Sequence, residues 1–159
     1  MKKLIFIRHG QAENDFDTKD FDRKLTDFGI KEIRKASDIL KAKNLIPDKI
    51  ISSSAIRTQM TSENICDILS IDIKNVVFDK FIYDFFSSAE FIDNILYKID
   101  NKYNTVLIVG HNPSISTTVQ MLSGNNNIYF NTANIAIIDF NTDDWKKIYA
   151  RSGKFVDFL

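Results

Sequence analysis

Lys3-Leu4-Ile5-Phe6-Ile7-Arg8-His9-Gly10, residues 3–10, is the stretch that decides the fold. Its four consecutive apolar side chains leave no polar face, which suits a strand covered on both sides within a parallel sheet. A second run of this kind, Thr105-Val106-Leu107-Ile108-Val109, ends at Gly110-His111-Asn112-Pro113. His9 and His111 are the only histidines of the chain, and each sits just past one of these runs. Parallel neighbours would bring both imidazoles to the carboxyl edge of one sheet, where open α/β sheets hold their ligands.

Working outward, residues 13–24 are charged and irregular, with aspartates at 15, 17, 20 and 22, and are expected to form a solvated surface loop; the glycine and spacing of a calcium loop are missing. Thr26 suits an N-cap and Asp27 a first turn, and Ile30, Ile33, Ala36 and Leu40 recur at helical spacing to about Lys43. Pro47 and Asp48 mark a turn before a brief strand over 49–52, and the serines at 52–54 are expected to cap a helix that starts near Ala55. Residues 75–78 read as a short strand. Ser87-Ser88-Ala89-Glu90 has capping-box spacing and opens a helix with Ile92, Ile95, Leu96 and Ile99 on one stripe. Asn112 is expected to cap the helix after the second apolar run, with Pro113 in its first position.

Residues 134–140 and 145–150 read as strands separated by a polar turn at 141–144, an antiparallel hairpin at the sheet edge. The pattern predicts a single three-layer α/β domain over 1–159: a mostly parallel central sheet, helices on both faces and a C-terminal antiparallel edge hairpin. The aromatics Phe78, Phe81, Tyr83, Phe85, Phe86 and Phe91 are expected to be mostly core.

The composition, 44% hydrophobic and 26% charged over 159 residues, is that of a globular domain. Lys plus Arg balances Asp plus Glu at 21 each, so no global field draws nucleic acid or an anionic membrane, and any anion site must be local. The single cysteine, Cys66, allows neither an internal disulfide nor a multi-cysteine metal site. The N-terminal apolar run is too short for a signal peptide, and no stretch approaches a membrane span. A soluble, cytoplasmic protein is expected.

Arg8 beside His9 argues for a site rather than a core histidine, because a guanidinium is not sunk into apolar surroundings without an anionic partner. Arg57 sits at the start of a helix after a serine-rich turn. The helix N-terminus favours an anion there, and the guanidinium adds a bidentate fork for phosphate oxygens.

Arg8-His9-Gly10, Leu25-Thr26-x-x-Gly29, Ser53-Ser54-Ala55-x-Arg57-x-x-x-Thr61 and Gly110-His111-Asn112 together, in that order, resemble the signatures of the histidine phosphatase superfamily, also called phosphoglycerate-mutase-like. The resemblance spans residues 3 to about 123. The compact length is most similar to the SixA-type phosphohistidine phosphatases, whose minimal domain lacks lid insertions, so an open pocket is expected.

The resemblance implies that His9 is the nucleophile, that the Gly10 carbonyl fixes its tautomer, and that Arg8, Arg57 and His111 surround the transferring phosphoryl group. It implies no cofactor and no metal; a metal held by His9 and His111 would lack a third ligand and face two arginines. A carboxylic acid between Arg57 and His111 serves larger relatives as proton donor, and Asp84 is the candidate here, while Glu90 is explained by the capping box. The chain departs from larger relatives at Gln11-Ala12-Glu13-Asn14, where Asn14 is the candidate phosphate ligand, and the 125–127 loop offers no basic set for a second phosphate. The expected activity is a metal-independent phosphatase acting on phosphohistidine in a signalling or phosphotransfer protein. The alternatives are a small-molecule phosphomonoesterase and an inactive phosphate-binding interaction module.

Overall fold

In the computed structural model, which describes residues 1–14, 16–84 and 86–159, the first apolar run becomes β1, Lys2–Arg8. Asp15 and Phe85, both named above, lie outside the described residues. Then follow α1 (Asp27–Ala42), β2 (Lys49–Ser53), α2 (Ile56–Leu69), β3 (Val76–Asp79), α3 (Lys80–Tyr83), α4 (Ser88–Asn94), β4 (Thr105–Gly110), α5 (Ser114–Ser123), β5 (Ile135–Phe140) and β6 (Lys154–Phe158). The six strands form one sheet in the order β3-β2-β4-β1-β5-β6. β1 to β4 run parallel, and β5 and β6 are antiparallel additions at one edge.

β1 and β4 are central neighbours, and their side chains alternate between two cores. Ile5, Ile7, Leu107 and Val109 pack under α1 and α2 with Ile33, Leu40 and Ile65. Leu4, Phe6, Val106 and Ile108 face the other side, against Phe86, Phe91, Ile115 and Val119. Both faces are therefore covered, which is why these strands read as unbroken apolar runs. Each fully buried Leu, Ile or Phe contributes about 1.5–3 kcal/mol.

Capping follows local chemistry in part. Thr26 accepts a hydrogen bond from the Gly29 N–H at 2.9 Å, and Ser87 and Glu90 form the expected capping box. α2, in contrast, begins after Ala55 with no side-chain cap, because Ser52 and Ser53 complete β2: Ser53 Oγ accepts from the Ala55 N–H at 3.3 Å, and Ser52 Oγ donates to the Thr58 carbonyl at 3.3 Å instead of capping an N–H. Asn112 does not cap α5 either, and Pro113 precedes the helix rather than opening it. The Asn112 amide donates to the Phe130 carbonyl at 2.7 Å and accepts from Ser116 Oγ at 2.7 Å, tying the turn after β4 to the chain beyond α5.

The edge hairpin is built from β5 and β6, not from residues 145–150. Trp145–Lys147 is a 3₁₀ turn instead. Trp145 is fully buried, its Nε1 donates to the Tyr103 carbonyl at 3.0 Å, and the Lys2 ammonium lies 5.5 Å from the ring centroid. Burying that indole bends the chain away from the sheet, and pairing resumes only at Lys154.

Two glycines bring α1 against the segment that follows β1. A Cβ at Gly29 would collide with the Gln11 backbone, and one at Gly10 with the Gly29 carbonyl. The Thr26 N–H also donates to the Gln11 carbonyl at 3.0 Å. The backbone beyond His9 is thus clamped by the start of α1. Cys66 is buried and unpaired on α2, and burial, with Asp72 and Glu63 nearby, pushes its thiol up to about 11. No helix among the described residues is long and apolar enough to cross a membrane.

Candidate active site

The β1–β4 register pairs Arg8 with Gly110, so the residues that follow, His9 and His111, emerge side by side. Their ring centroids are 5.0 Å apart, with the planes inclined at 56°. The His9 N–H continues the ladder by donating to the Gly110 carbonyl at 3.3 Å.

His9 is 8% exposed. Its Nδ1 lies 2.7 Å from the Gly10 carbonyl oxygen, which can only accept, so Nδ1 carries the proton and Nε2 the lone pair. Arg57 Nε donates to that Nε2 at 3.3 Å, a contact that requires the same tautomer. Burial pushes the imidazole down to about 4; the Gly10 hydrogen bond opposes the shift and the charges of Arg57, Arg8 and Arg23 reinforce it. His9 is therefore neutral near pH 7, with its nucleophilic nitrogen unprotonated.

His111 Nε2 lies 2.7 Å from Ser53 Oγ, while Nδ1 is buried without a hydrogen-bond partner among the described residues. Burial, with His9 and Arg57 close by, pushes this imidazole down to about 2. Arg8 donates through Nη1 to the Phe130 carbonyl at 2.9 Å, and among the described residues its Nε is likewise buried without a partner.

Arg57, in the first turn of α2, is buried and makes three directed contacts. Besides His9, it donates from Nη1 to the Asp20 carbonyl at 2.5 Å and from Nη2 to Asp20 Oδ2 at 3.0 Å. Arg23 Nη1 donates to Asp20 Oδ1 at 3.1 Å, and the Tyr83 hydroxyl donates to Oδ2 at 3.1 Å. Asp20–Asp22 is a 3₁₀ turn that stays at the surface, as the composition of the charged stretch suggests, while Asp20 reaches Arg57 beside the pocket. Burial works against ionisation of Asp20, yet the hydrogen bonds from Arg57, Arg23 and Tyr83 hold its carboxyl below the usual range.

These groups surround a cavity of about 330 Å³ lined by Arg8, His9, Arg23, Arg57, His111 and Asn112, among others. Three guanidiniums and two neutral imidazoles on one cavity suit a small, multiply charged oxyanion. Among the described residues, no group of three or more His, Cys, Asp or Glu side chains is placed to hold a metal ion.

Of the residues singled out in the sequence, Arg8, His9, Arg57 and His111 converge, and the Gly10 carbonyl oxygen accepts a hydrogen bond from His9 Nδ1. Asn14 and Asp84 are exposed and do not line the cavity; Asp84 closes α3. Its neighbour Tyr83 faces the site instead, edge-on to His111 at 5.8 Å. Glu90 is occupied by the capping box. Ser53 enters the sequence reading only as the first residue of the Ser53-Ser54-Ala55-x-Arg57 signature, and Asp20, Arg23 and Tyr83 are site residues that the reading does not single out. For Asp20 and Arg23 the available signal is Asp20-x-x-Arg23 directly ahead of Leu25-Thr26, an acid and a base at turn spacing.

Residues 4–77 match the model of the histidine phosphatase superfamily (branch 1). An uncharacterised chloroplast protein of Arabidopsis thaliana is 29% identical over 159 residues, covering 96% of this chain and 72% of that protein. A 2,3-bisphosphoglycerate-dependent phosphoglycerate mutase of Elusimicrobium minutum is 38% identical over 80 residues, which is 48% of this chain and 32% of the mutase. In fold, the chain is similar to the protein histidine phosphatase SixA complexed with tungstate, with a TM-score of 0.84 at 22% identity, covering 99% of this chain and 96% of the other.

Proposed function

We propose that this chain, whose residues 4–77 match the histidine phosphatase superfamily model, is a phosphatase of that superfamily in which His9 accepts the phosphoryl group, with phosphohistidine on a signalling or phosphotransfer protein as its substrate. The observation that carries this reading is the His9 Nε2 lone pair, buried beside Arg57 and ringed by Arg8, Arg23 and His111.

In the first step Nε2 attacks phosphorus as the bond from phosphorus to the substrate nitrogen breaks, and the electron pair of that bond returns to the leaving imidazole. Water then attacks phospho-His9, releasing orthophosphate and restoring the nitrogen. Arg8, Arg23 and Arg57 hold the phosphoryl oxygens as charge redistributes. Each charge pair at 4 Å is worth about 4 kcal/mol at an effective dielectric of 20, so two or three offset much of the cost of drying a dianion.

The choice of leaving group follows from the lack of a well-placed acid among the described residues. Asp84 stands outside the cavity, and Asp20 is held ionised by Arg57 and Arg23, which makes it a poor proton donor. An alkoxide needs a proton as it leaves, whereas an imidazole protonates near neutral pH and leaves with little help. Phosphohistidine therefore suits this pocket better than a sugar phosphate.

The test compares turnover of a phosphohistidine-carrying protein with that of sugar phosphates and p-nitrophenyl phosphate. The reading expects clear preference for the phosphoprotein; strong preference for the small esters would replace it with a phosphomonoesterase.

A further inference from the structure

We propose that Ser53 is a positioning residue that fixes His111 as a neutral hydrogen-bond donor, its Nδ1–H reserved for an oxygen of the transferring phosphoryl group. The inference rests on the reading that a phosphoryl group occupies the cavity beside His9.

Ser53 ends β2 and is fully buried. Its Oγ accepts from the Ala55 N–H at 3.3 Å, which uses one lone pair and leaves the hydroxyl hydrogen to be donated. His111 Nε2, at 2.7 Å, is the acceptor in reach. An imidazole that accepts at Nε2 carries its single proton on Nδ1. That atom is buried and has no partner among the described residues, a penalty that a ligand oxygen would remove.

The opposite tautomer would donate from Nε2 to Ser53 and leave a bare Nδ1 lone pair. A lone pair repels a phosphoryl oxygen, and among the described residues Nδ1 receives no hydrogen bond from either arginine. A charged imidazolium is disfavoured by burial, by His9 and by Arg57, in that order. Division of labour follows: the arginines supply the positive charge, and His111 supplies direction through one oriented N–H. Ser53 and Arg57 flank the turn into α2, so a single segment positions both His111 and the guanidinium beside His9.

The experiment is ¹⁵N imidazole NMR of the full chain without substrate, followed by titration with orthophosphate. The proposal expects a neutral His111 protonated on Nδ1 from about pH 5.5 to 8, with the Nδ1 proton shifting as orthophosphate binds. Ser53→Ala should erase the tautomer preference and lower kcat/KM roughly tenfold to a hundredfold, and Ser53→Thr, which keeps the hydroxyl, should restore both. A wild-type His111 protonated on Nε2, or doubly protonated, overturns the proposal, and so does Ser53→Ala with wild-type spectrum and turnover. The wild-type spectrum decides even where Ser53→Ala does not fold. Because it needs no turnover, an Nδ1-protonated His111 in a protein without phosphatase activity would uphold the tautomer and remove the functional reading.

Discussion

The Asp20 carboxylate lies in the fork of Arg57: Nη2 donates to Oδ2 at 3.0 Å while Nη1 donates to the Asp20 carbonyl at 2.5 Å. The guanidinium best placed to hold phosphoryl oxygens is therefore held by an internal anion. Arg57 is nearly dry, with 8% of its side chain exposed, whereas Asp20 is 54% exposed and can withdraw toward water. A phosphate entering the cavity competes with this carboxylate. Asp20→Asn, which keeps the shape and removes the charge, should tighten competitive inhibition by orthophosphate about tenfold, since a hydrogen bond to a charged group is worth about 1.5–3 kcal/mol. Unchanged or weaker inhibition would show that Asp20 orients Arg57 rather than competing with ligand.

Arg57→Lys should fold normally and lose about a hundredfold or more in kcat/KM. A lysine ammonium cannot hold a pair of phosphoryl oxygens with the planar fork of a guanidinium. Steady-state kinetics on the phosphoprotein checks this, and a loss under threefold would remove Arg57 from the phosphoryl contacts.

The buried imidazole of His9 makes stability depend on pH with a definite sign. Its folded pKa of about 4 lies below the ordinary 6.5, so above pH 6.5 neither state binds the proton. As pH falls from 6.5 toward 4, the unfolded chain takes up a proton that the folded chain refuses, and stability drops by about 3 kcal/mol from this group. Urea unfolding of wild type and His9→Asn at several pH values isolates the term: the difference between them should shift in favour of the variant below pH 6.5. Parallel profiles would mean that His9 titrates normally in the fold.

Gly29→Ala carries a prediction whose sign is diagnostic. Within an exposed helix, Gly to Ala stabilises by up to about 1 kcal/mol. Here the new Cβ meets the Gln11 backbone two residues beyond His9, so the variant should lose about 1–3 kcal/mol and turn over more slowly. A stabilised, fully active variant would show that α1 does not clamp the nucleophile's segment.

The central strands were legible because burial on both faces leaves unbroken apolar runs, and the pairing of Arg8 with Gly110 brings both histidines together as their positions implied. Residues 145–150 misled because Trp145, Ile148 and Tyr149 resemble strand residues, while the actual determinant is long-range: an indole held by Tyr103 and Lys2. Asp20 and Arg23 were hidden for a similar reason. Their meaning comes from an irregular segment folding onto an arginine 37 positions away, and no local periodicity encodes that contact. Asp84 and Tyr83 differ by one position, and only the end of α3 decides which side chain reaches the pocket.

The most direct test of the account is capture of the intermediate: brief incubation with radiolabelled phosphohistidine protein, rapid quenching, and assay of label on the enzyme. The account predicts a covalent phosphoenzyme that is stable in base and lost in acid, located on His9 and absent from His9→Ala, which should also lose turnover. Undiminished turnover by His9→Ala, or label that resides on another side chain, would contradict it.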